Sequence, residues 1–284
     1  MDVVAVNLLN GVSFGVILFL LAAGLSIIFG LMGILNLAHG ALYMVAAYVG
    51  YTVLNWSGEY LAALLAGAVA AGVVGIILQQ GFLQHLLGRI LDQILLTFGF
   101  VYILTNLSLW IWGPYPKASF AAPIMSGSMP IAGYDYPVFR LWIIAIGVVL
   151  TIGLWWFQDK TAIGARVRAG MDDKQMTTGL GINLGLLYFG VFFLGAFLAG
   201  FAGVVGAALM GPSLGLAMDI LLLAFIVVIV GGVGSIQGAL AGAMAIGVID
   251  AFGKAYFPGF AMFTVYLVMI VILLVRPSGL LGRA

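Results

Sequence analysis

Long uninterrupted runs of apolar residues constrain this chain more than any other feature. The first run, VNLLNGVSFGVILFLLAAGLSIIFG at 6–30, contains no charged residue, and similar runs recur along the whole chain. A helix needs about 20 apolar residues to cross roughly 30 Å of hydrocarbon, whereas an outer-membrane β-strand needs only about 10 residues of alternating polarity. The runs therefore predict an all-α, polytopic integral membrane protein.

The composition supports this prediction and argues against several classes of function. Hydrophobic residues make up 64% of the chain and charged residues 7%, where soluble domains average about 25% charged residues. A net charge of +1 offers no basic surface to nucleic acid. The absence of cysteine excludes thiolate sites, and two histidines leave little scope for a metal centre. Because no known catalytic motif occurs either, we expect no enzyme and no cofactor or metal in this chain.

Nine apolar segments can be placed along the chain. They cover residues 7–30, 40–56, 60–80, 92–112, 139–157, 185–210, 218–235, 237–252 and 260–276. The seventh and eighth meet at the glycine-rich GGVGSIQG, which favours a re-entrant piece at that position. We expect one transmembrane domain over residues 1–284, with about 8–10 transmembrane helices and one or more broken or re-entrant segments.

The basic residues predict which loops face the cytoplasm, because cytoplasmic loops retain Lys and Arg. With nine spans, seven of the ten basic residues fall on one side: Arg89, Lys160, Arg166, Arg168, Lys174, Arg276 and Arg283. Residues 159–184 then form a cytoplasmic segment, and the loop at 113–138 and the N-terminus lie outside. One span more or fewer would move the N-terminus to the other side.

The most polar stretch is DKTAIGARVRAGMDDKQMTTGLGIN at 159–183. It has room for a helix of about four turns that ends at glycine. One interpretation is a solvated connector whose cations fix the topology. The other is a docking helix for a cytoplasmic partner, in which Arg168 and Asp173 present charge while Met171 and Met176 supply adaptable apolar contact.

A second unusual stretch, GLMGILNLAHG at 30–40, places Asn36 and His39 among glycines. Each glycine costs a helix about 1 kcal/mol relative to alanine, so the first span is expected to end or break here. The two polar side chains would then satisfy the backbone groups that the break frees. Alternatively they line a solute path beside Ser235 and Gln237, because AHGALYMVAAYVG resembles IQGALAGAMAIGVI and transporters are often built from repeats. Chance similarity between Gly/Ala-rich helices is an equal alternative.

Four stretches together resemble one known family. They are GLSIIFGLMGILNLAHGALYMVAAY at 24–48, IGARVRAGMDDKQMTTGLGIN at 163–183, AFIVVIVGGVGSIQGALAGA at 224–243 and RPSGLLG at 276–282. They are similar, in the same order, to the permease subunits of branched-chain amino-acid ABC transporters, the LivH-like members of the LivH/LivM family. The resemblance implies that one group of residues couples the chain to ATPase subunits: Gly164, Arg168, Asp173 and Gly181.

The resemblance also implies a function and partners. The chain would be the membrane-spanning permease subunit of an ATP-driven importer for branched-chain amino acids in a prokaryotic plasma membrane. Two cytoplasmic ATPase subunits would bind ATP, an extracytoplasmic binding protein would deliver the substrate, and a LivM-like chain would be the second permease subunit. Permeases of the same fold for urea, short amides or other small organic acids remain an alternative. A secondary carrier or channel is another, since interrupted glycine-rich helices would also suit it.

Overall fold

The computed structural model describes residues 2–131 and 133–282, and within them the chain is almost entirely helical. The α-helices are α1 (Asp2–Met32), α2 (His39–Ser57), α3 (Tyr60–Gly81), α4 (Ile90–Trp112), α5 (Val138–Lys160), α6 (Ala162–Asp172), α7 (Lys174–Gly179), α8 (Leu184–Met210), α9 (Leu216–Gly231), α10 (Ile236–Tyr256) and α11 (Ala261–Val275). Short 3₁₀ turns occur at Leu83–Leu86, Pro123–Met125 and Pro258–Phe260. One antiparallel hairpin, β1 (Ser128–Ile131) and β2 (Tyr134–Pro137), lies in the loop before α5. The predicted all-α fold is confirmed, with this hairpin as an addition.

Each of the nine predicted apolar segments coincides with one helix, but two of these helices are not full spans. By length and composition, seven helical segments of the described chain can cross a membrane: α1, α3, α4, α5, α8, α10, and α11 together with the 3₁₀ turn before it, Pro258–Val275. The helix α9 has 16 residues, about 24 Å, which is shorter than the hydrocarbon core. The helix α2 has 19 residues but is less apolar, because it carries His39, three tyrosines, Thr52, Asn55 and Ser57.

The helices α1 and α8 form the interior of the bundle. In their most apolar windows 89% and 83% of the residues are buried, against 17% for α5 and 6% for α11. Glycine permits the close approach, since a Cβ at Gly24 of α1 would lie 2.5 Å from the carbonyl oxygen of Gly195 in α8. Small residues at such crossings are typical of membrane helices, which gain stability from packing rather than from escape from water.

The bundle has two distinct faces. Gly30, near the end of α1, lies against Gly234, just before α10, and against Met171 of α6. These segments share one face, here called the coupling face. Near the start of α1, Asn10 Oδ1 accepts a hydrogen bond from Arg140 Nη1 of α5 at 2.5 Å. The loop between α4 and α5 therefore lies at the opposite face, here called the loop face.

The helices α2 and α9 both begin in the middle of the bundle. The His39 side chain, in the first residue of α2, lies against the carbonyl oxygen of Leu21, about two-thirds of the way along α1. A Cβ at Gly40 would lie 2.0 Å from the carbonyl oxygen of Ala217, in the first turn of α9. The first turns of α2 and α9 are therefore in direct contact.

The order of long helix, break, short helix and two further helices occurs twice, as α1–α4 and α8–α11. Each break begins at a glycine with positive φ, Gly33 (φ 72°) and Gly211 (φ 68°). The two copies run in opposite directions, because α2 ends at the loop face beside α4 whereas α9 ends at the coupling face beside α10. The sequence resemblance noted above joins α2 with α10. By position α2 corresponds to α9, and the shared Gly/Ala pattern reflects close packing in both helices.

Candidate functional site

The break between α1 and α2 encloses the two polar residues that stand out in the sequence. Asn36 and His39 are both 0% exposed. His39 Nε2 lies 3.1 Å from the Leu21 carbonyl oxygen, which can only accept, so Nε2 carries the proton. His39 Nδ1 and both side-chain polar atoms of Asn36 have no hydrogen-bond partner among the residues that the structure describes.

A threonine in α4 holds the nonhelical backbone of this break. Thr97 Oγ1 accepts a hydrogen bond from the Leu37 backbone N–H at 3.2 Å and donates to the Gln93 carbonyl oxygen at 2.8 Å. The sequence interpretation assigned this role to the side chains of Asn36 and His39, and for the Leu37 N–H the structure assigns it to Thr97. The sequence gives only a weak indication of this role, because Thr97 is a single hydroxyl residue within the apolar segment 92–112.

The segment between α5 and α8 forms two short helices rather than the predicted single helix of four turns. Thr161 Oγ1 caps α6 by accepting from the Gly164 N–H at 3.0 Å. Asp173 is extended (φ −151°, ψ 107°), and its carboxylate accepts from the backbone N–H groups of Gln175 and Met176 at 2.8 and 2.9 Å. This N-cap interaction competes with continuing the helix, which is why the chain breaks there. Gly181 (φ 80°) then ends the segment before α8.

The helix α6 is locked against the end of α5 by Gly164. A Cβ at this position would lie 2.3 Å from the carbonyl oxygens of both Phe157 and Gln158. Since real Cβ atoms do not approach backbone oxygen so closely, only glycine fits without moving α6. Gly164, the first of the four residues that the resemblance assigns to coupling, therefore fixes the position of α6 on α5.

The four side chains predicted to face a partner, Arg168, Met171, Asp173 and Met176, make different contacts in the structure. Arg168 Nη1 pairs with Asp159 Oδ1 at 3.3 Å, and the two side chains are 35% and 38% exposed. The Met171 side chain packs against Gly30 of α1, and the Asp173 carboxylate is engaged in the cap described above. Met176 is 66% exposed. Of the four, Met176 alone presents a largely free side chain, while Arg168 and Met171 contact the transmembrane bundle.

A cavity of about 390 Å³ lies at the coupling face and brings two predicted groups together. Its lining includes Arg168 and Asp159 as well as Ser235 and Gln237, and Gly30 forms part of its wall. Ser235 Oγ also caps α10 by accepting from the Gly238 N–H at 2.9 Å. The structure therefore places Ser235 and Gln237 in the same cavity wall as Arg168 and Asp159. It does not bring them beside Asn36 and His39, which lie deeper in the bundle.

The C-terminal RPSGLLG stretch closes the same region. The Leu280 N–H donates to the Val230 carbonyl oxygen at 2.7 Å, and the Leu281 N–H donates to the Gly231 carbonyl oxygen at 3.0 Å. These carbonyls are among the last of α9 and have no partner within the helix. Because Leu281 also lines the cavity, one set of contacts joins α6, the C-terminal stretch and α9.

At the loop face, Tyr136 of β2 lies near Arg140 of α5. Burial raises the pKa of the Tyr136 hydroxyl in β2, and the positive charge of nearby Arg140 opposes this effect. Within the described chain, no group of three or more His, Asp or Glu side chains is placed to hold a metal ion.

Comparisons with known proteins agree with the fold. A family model described as "Branched-chain amino acid transport system / permease component" matches residues 7–275. The chain is 29% identical over 294 residues to the high-affinity branched-chain amino acid transport system permease protein BraD of Pseudomonas aeruginosa, covering 98% of this chain and 95% of that protein. It is 28% identical over 302 residues to the corresponding protein LivH of Escherichia coli K12, with the same coverage.

A solved structure, PsaBC from Streptococcus pneumoniae in complex with Fab, has the same fold. The TM-score is 0.52 at 11% sequence identity, and the superposition covers 96% of this chain and 91% of that one. A likeness at this identity concerns the fold alone. The superposition therefore supports the polytopic helical fold and says nothing further about function.

Proposed function

The chain belongs to the family of permease components of branched-chain amino acid transport systems, and from that premise we propose that it imports leucine, isoleucine or valine. Membership in this family confirms the resemblance to LivH-like proteins and makes the chain a multi-pass membrane permease, not an enzyme. The family implies ATPase and binding-protein partners. We further propose that the second permease subunit is LivM-like.

The observation that carries the mechanism is the contact between the first turns of α2 and α9. Because α2 and α9 start in the bundle interior and end at opposite faces, they can be displaced without breaking a full span, which suits alternating access. We propose that residues 159–184 form the cytoplasmic coupling segment and 113–138 an extracytoplasmic loop. ATPase movement would then reach α9 through α6, the cavity around Arg168 and the C-terminal stretch.

Within the coupling segment, Gly164, Arg168, Asp173 and Gly181 are proposed to present α6 and α7 to an ATPase subunit. The Gly164 contact supports this role because it fixes α6 rigidly on α5, as a lever requires. The Asp173 cap and the positive φ of Gly181 set the course of the chain on either side of α7. Met176, exposed on α7, supplies apolar contact area.

We propose that His39 holds the start of α2 against α1 through the Leu21 carbonyl oxygen. Neither His39 nor Asn36 contacts the solute in this conformation, because both side chains are fully buried. Replacing His39 by Ala removes the hydrogen bond to Leu21 and leaves a void, so we expect the free energy of unfolding to fall by about 1–3 kcal/mol. The KM for uptake should stay unchanged, as measured by thermal unfolding in detergent and by transport in vesicles. A large rise in KM with unchanged stability would instead place His39 on the solute path.

The proposed function is tested by reconstituting the chain with its ATPases, second permease and binding protein in vesicles. We expect uptake of leucine, isoleucine and valine that requires ATP and the binding protein. Uptake that follows an ion gradient without ATP would make the protein a secondary carrier. Tight binding of urea or a short amide by the binding protein, with none of leucine, would overturn the branched-chain assignment.

A further inference from the structure

An apolar groove of about 790 Å³ lies beside the coupling segment, separate from the cavity around Arg168. It is bounded by the end of α5, the start of α6, the α7–α8 connection and the first half of α8. Its walls are mainly large apolar side chains: Phe157, Ile163, Leu186, Phe189, Phe193 and Leu194. Neither the fold nor the proposed transport cycle requires it.

The groove follows the first half of α8, a helix long and apolar enough to span a membrane. Its lining extends from Asn183, at the start of α8, to Leu194, and eleven residues of helix rise about 16 Å. Gly190 lies in this wall, and a Cβ added there would meet no atom within 4 Å. The groove therefore has open space alongside an otherwise packed spanning helix.

A single free cation lies at the polar end of the groove. Arg166 lines it, is exposed, and has no ion-pair partner in the described part of the chain. Neighbouring cations are engaged, because Arg168 pairs with Asp159 and Lys160 lies over the Trp155 ring at 5.8 Å. The guanidinium is thus available for an anion near the start of the spanning helix α8.

We propose that this groove binds one anionic glycerophospholipid, with its phosphate at Arg166 and one acyl chain along α8 past Gly190. The groove has a charged end at Arg166 and apolar walls along α8, as a phospholipid has a charged headgroup and apolar acyl chains. Basic residues at the membrane surface attract anionic headgroups. Because the groove is formed by α5, α6 and α8 together, the lipid would hold the coupling segment against the bundle.

The test uses the full chain in vesicles that contain phosphatidylcholine and a photoactivatable phosphatidylglycerol. We expect labelling to map to residues 180–194 and to exceed labelling by the matching phosphatidylcholine probe. Arg166→Gln should lower phosphatidylglycerol labelling about fivefold, the effect of one basic residue at an anionic surface. Gly190→Leu should lower labelling by both probes, since it fills the acyl channel.

Two matched controls separate these effects from general changes in charge or helix surface. Lys174→Gln removes a cation of the same segment outside the groove, and Gly153→Leu adds a side chain at an open position of α5. Both should label like the parent chain. Equal labelling by the two lipid probes, or no effect of Arg166→Gln, would overturn the proposal.

Two further outcomes would assign the groove to another occupant and so overturn the proposal as well. Competition by inorganic phosphate would indicate a site for soluble anions. Loss of labelling when the ATPase subunits are added would indicate a protein contact. The labelling needs neither ATP nor substrate, so its result is independent of the proposed transport function.

Discussion

Reversing the charge at position 168, Arg168→Glu, is expected to lower ATP-driven uptake on the order of tenfold or more while ATPase activity persists. The new carboxylate would lie beside Asp159, where Arg168 now pairs at 3.3 Å, and beside Asp172, which lines the same cavity. Stability should change by less than about 1 kcal/mol, because exposed ion pairs contribute little. The loss is therefore one of coupling, whose free energies are typically about 1–3 kcal/mol.

The measurement compares ATP hydrolysis with leucine uptake in the same vesicles. The matched control is Arg89→Glu, because Arg89 also forms an exposed ion pair, with Asp92 at 2.5 Å, on the connection between α3 and α4. This control should transport normally. In the swapped variant Arg168→Asp, Asp159→Arg, recovery of uptake would show that the internal pair carries the effect, and continued loss would indicate contact with the ATPase. Normal uptake by Arg168→Glu would remove Arg168 from the coupling group.

Gly40→Ala is expected to abolish transport and to lower the free energy of unfolding by about 1–3 kcal/mol. The added Cβ would meet the Ala217 carbonyl oxygen at 2.0 Å and the Leu221 Cβ at 2.7 Å. Neither atom can move away by a change of side-chain rotamer. The methyl group therefore separates the first turns of α2 and α9, where the proposed movement takes place.

Thermal unfolding in detergent and uptake in vesicles would measure these two effects. Gly99→Ala is the matched control, because Gly99 lies within α4 and a Cβ there meets no atom within 4 Å. This substitution should stabilise the helix by up to about 1 kcal/mol and leave uptake intact. Full activity of Gly40→Ala would show that close contact between α2 and α9 is not needed for transport.

The positions of the spans are predictable from sequence because hydropathy is a local property. The segments predicted at 139–157 and 185–210 lie within or match α5 (Val138–Lys160) and α8 (Leu184–Met210) to a few residues. The agreement is weaker at 218–235, since α9 ends at Gly231. There the predicted segment extends into the glycine-rich stretch at 231–235, where Gly232 adopts a positive φ of 104° and ends the helix.

The features that require contacts between distant parts of the chain could not be predicted. The hydrogen bond from Leu37 to Thr97 joins residues 60 positions apart, and hydropathy carries no information about such pairs. The same holds for the depth at which α2 begins and for the location of Ser235 beside Arg168. The break at Asp173 was accessible in principle, because an aspartate followed by a short helical stretch is a common N-cap signal.

The C-terminal cap on α9 also has a consequence for how the protein is made. Val230 and Gly231 leave the ribosome about 50 residues before Leu280 and Leu281, the residues whose N–H groups satisfy their carbonyl oxygens. At a synthesis rate of about 5–20 residues per second, α9 enters the membrane several seconds before its final partners exist. Completion of this short helix is therefore a late event of biogenesis, and a nascent chain arrested before residue 280 would lack both of these hydrogen bonds at the end of α9.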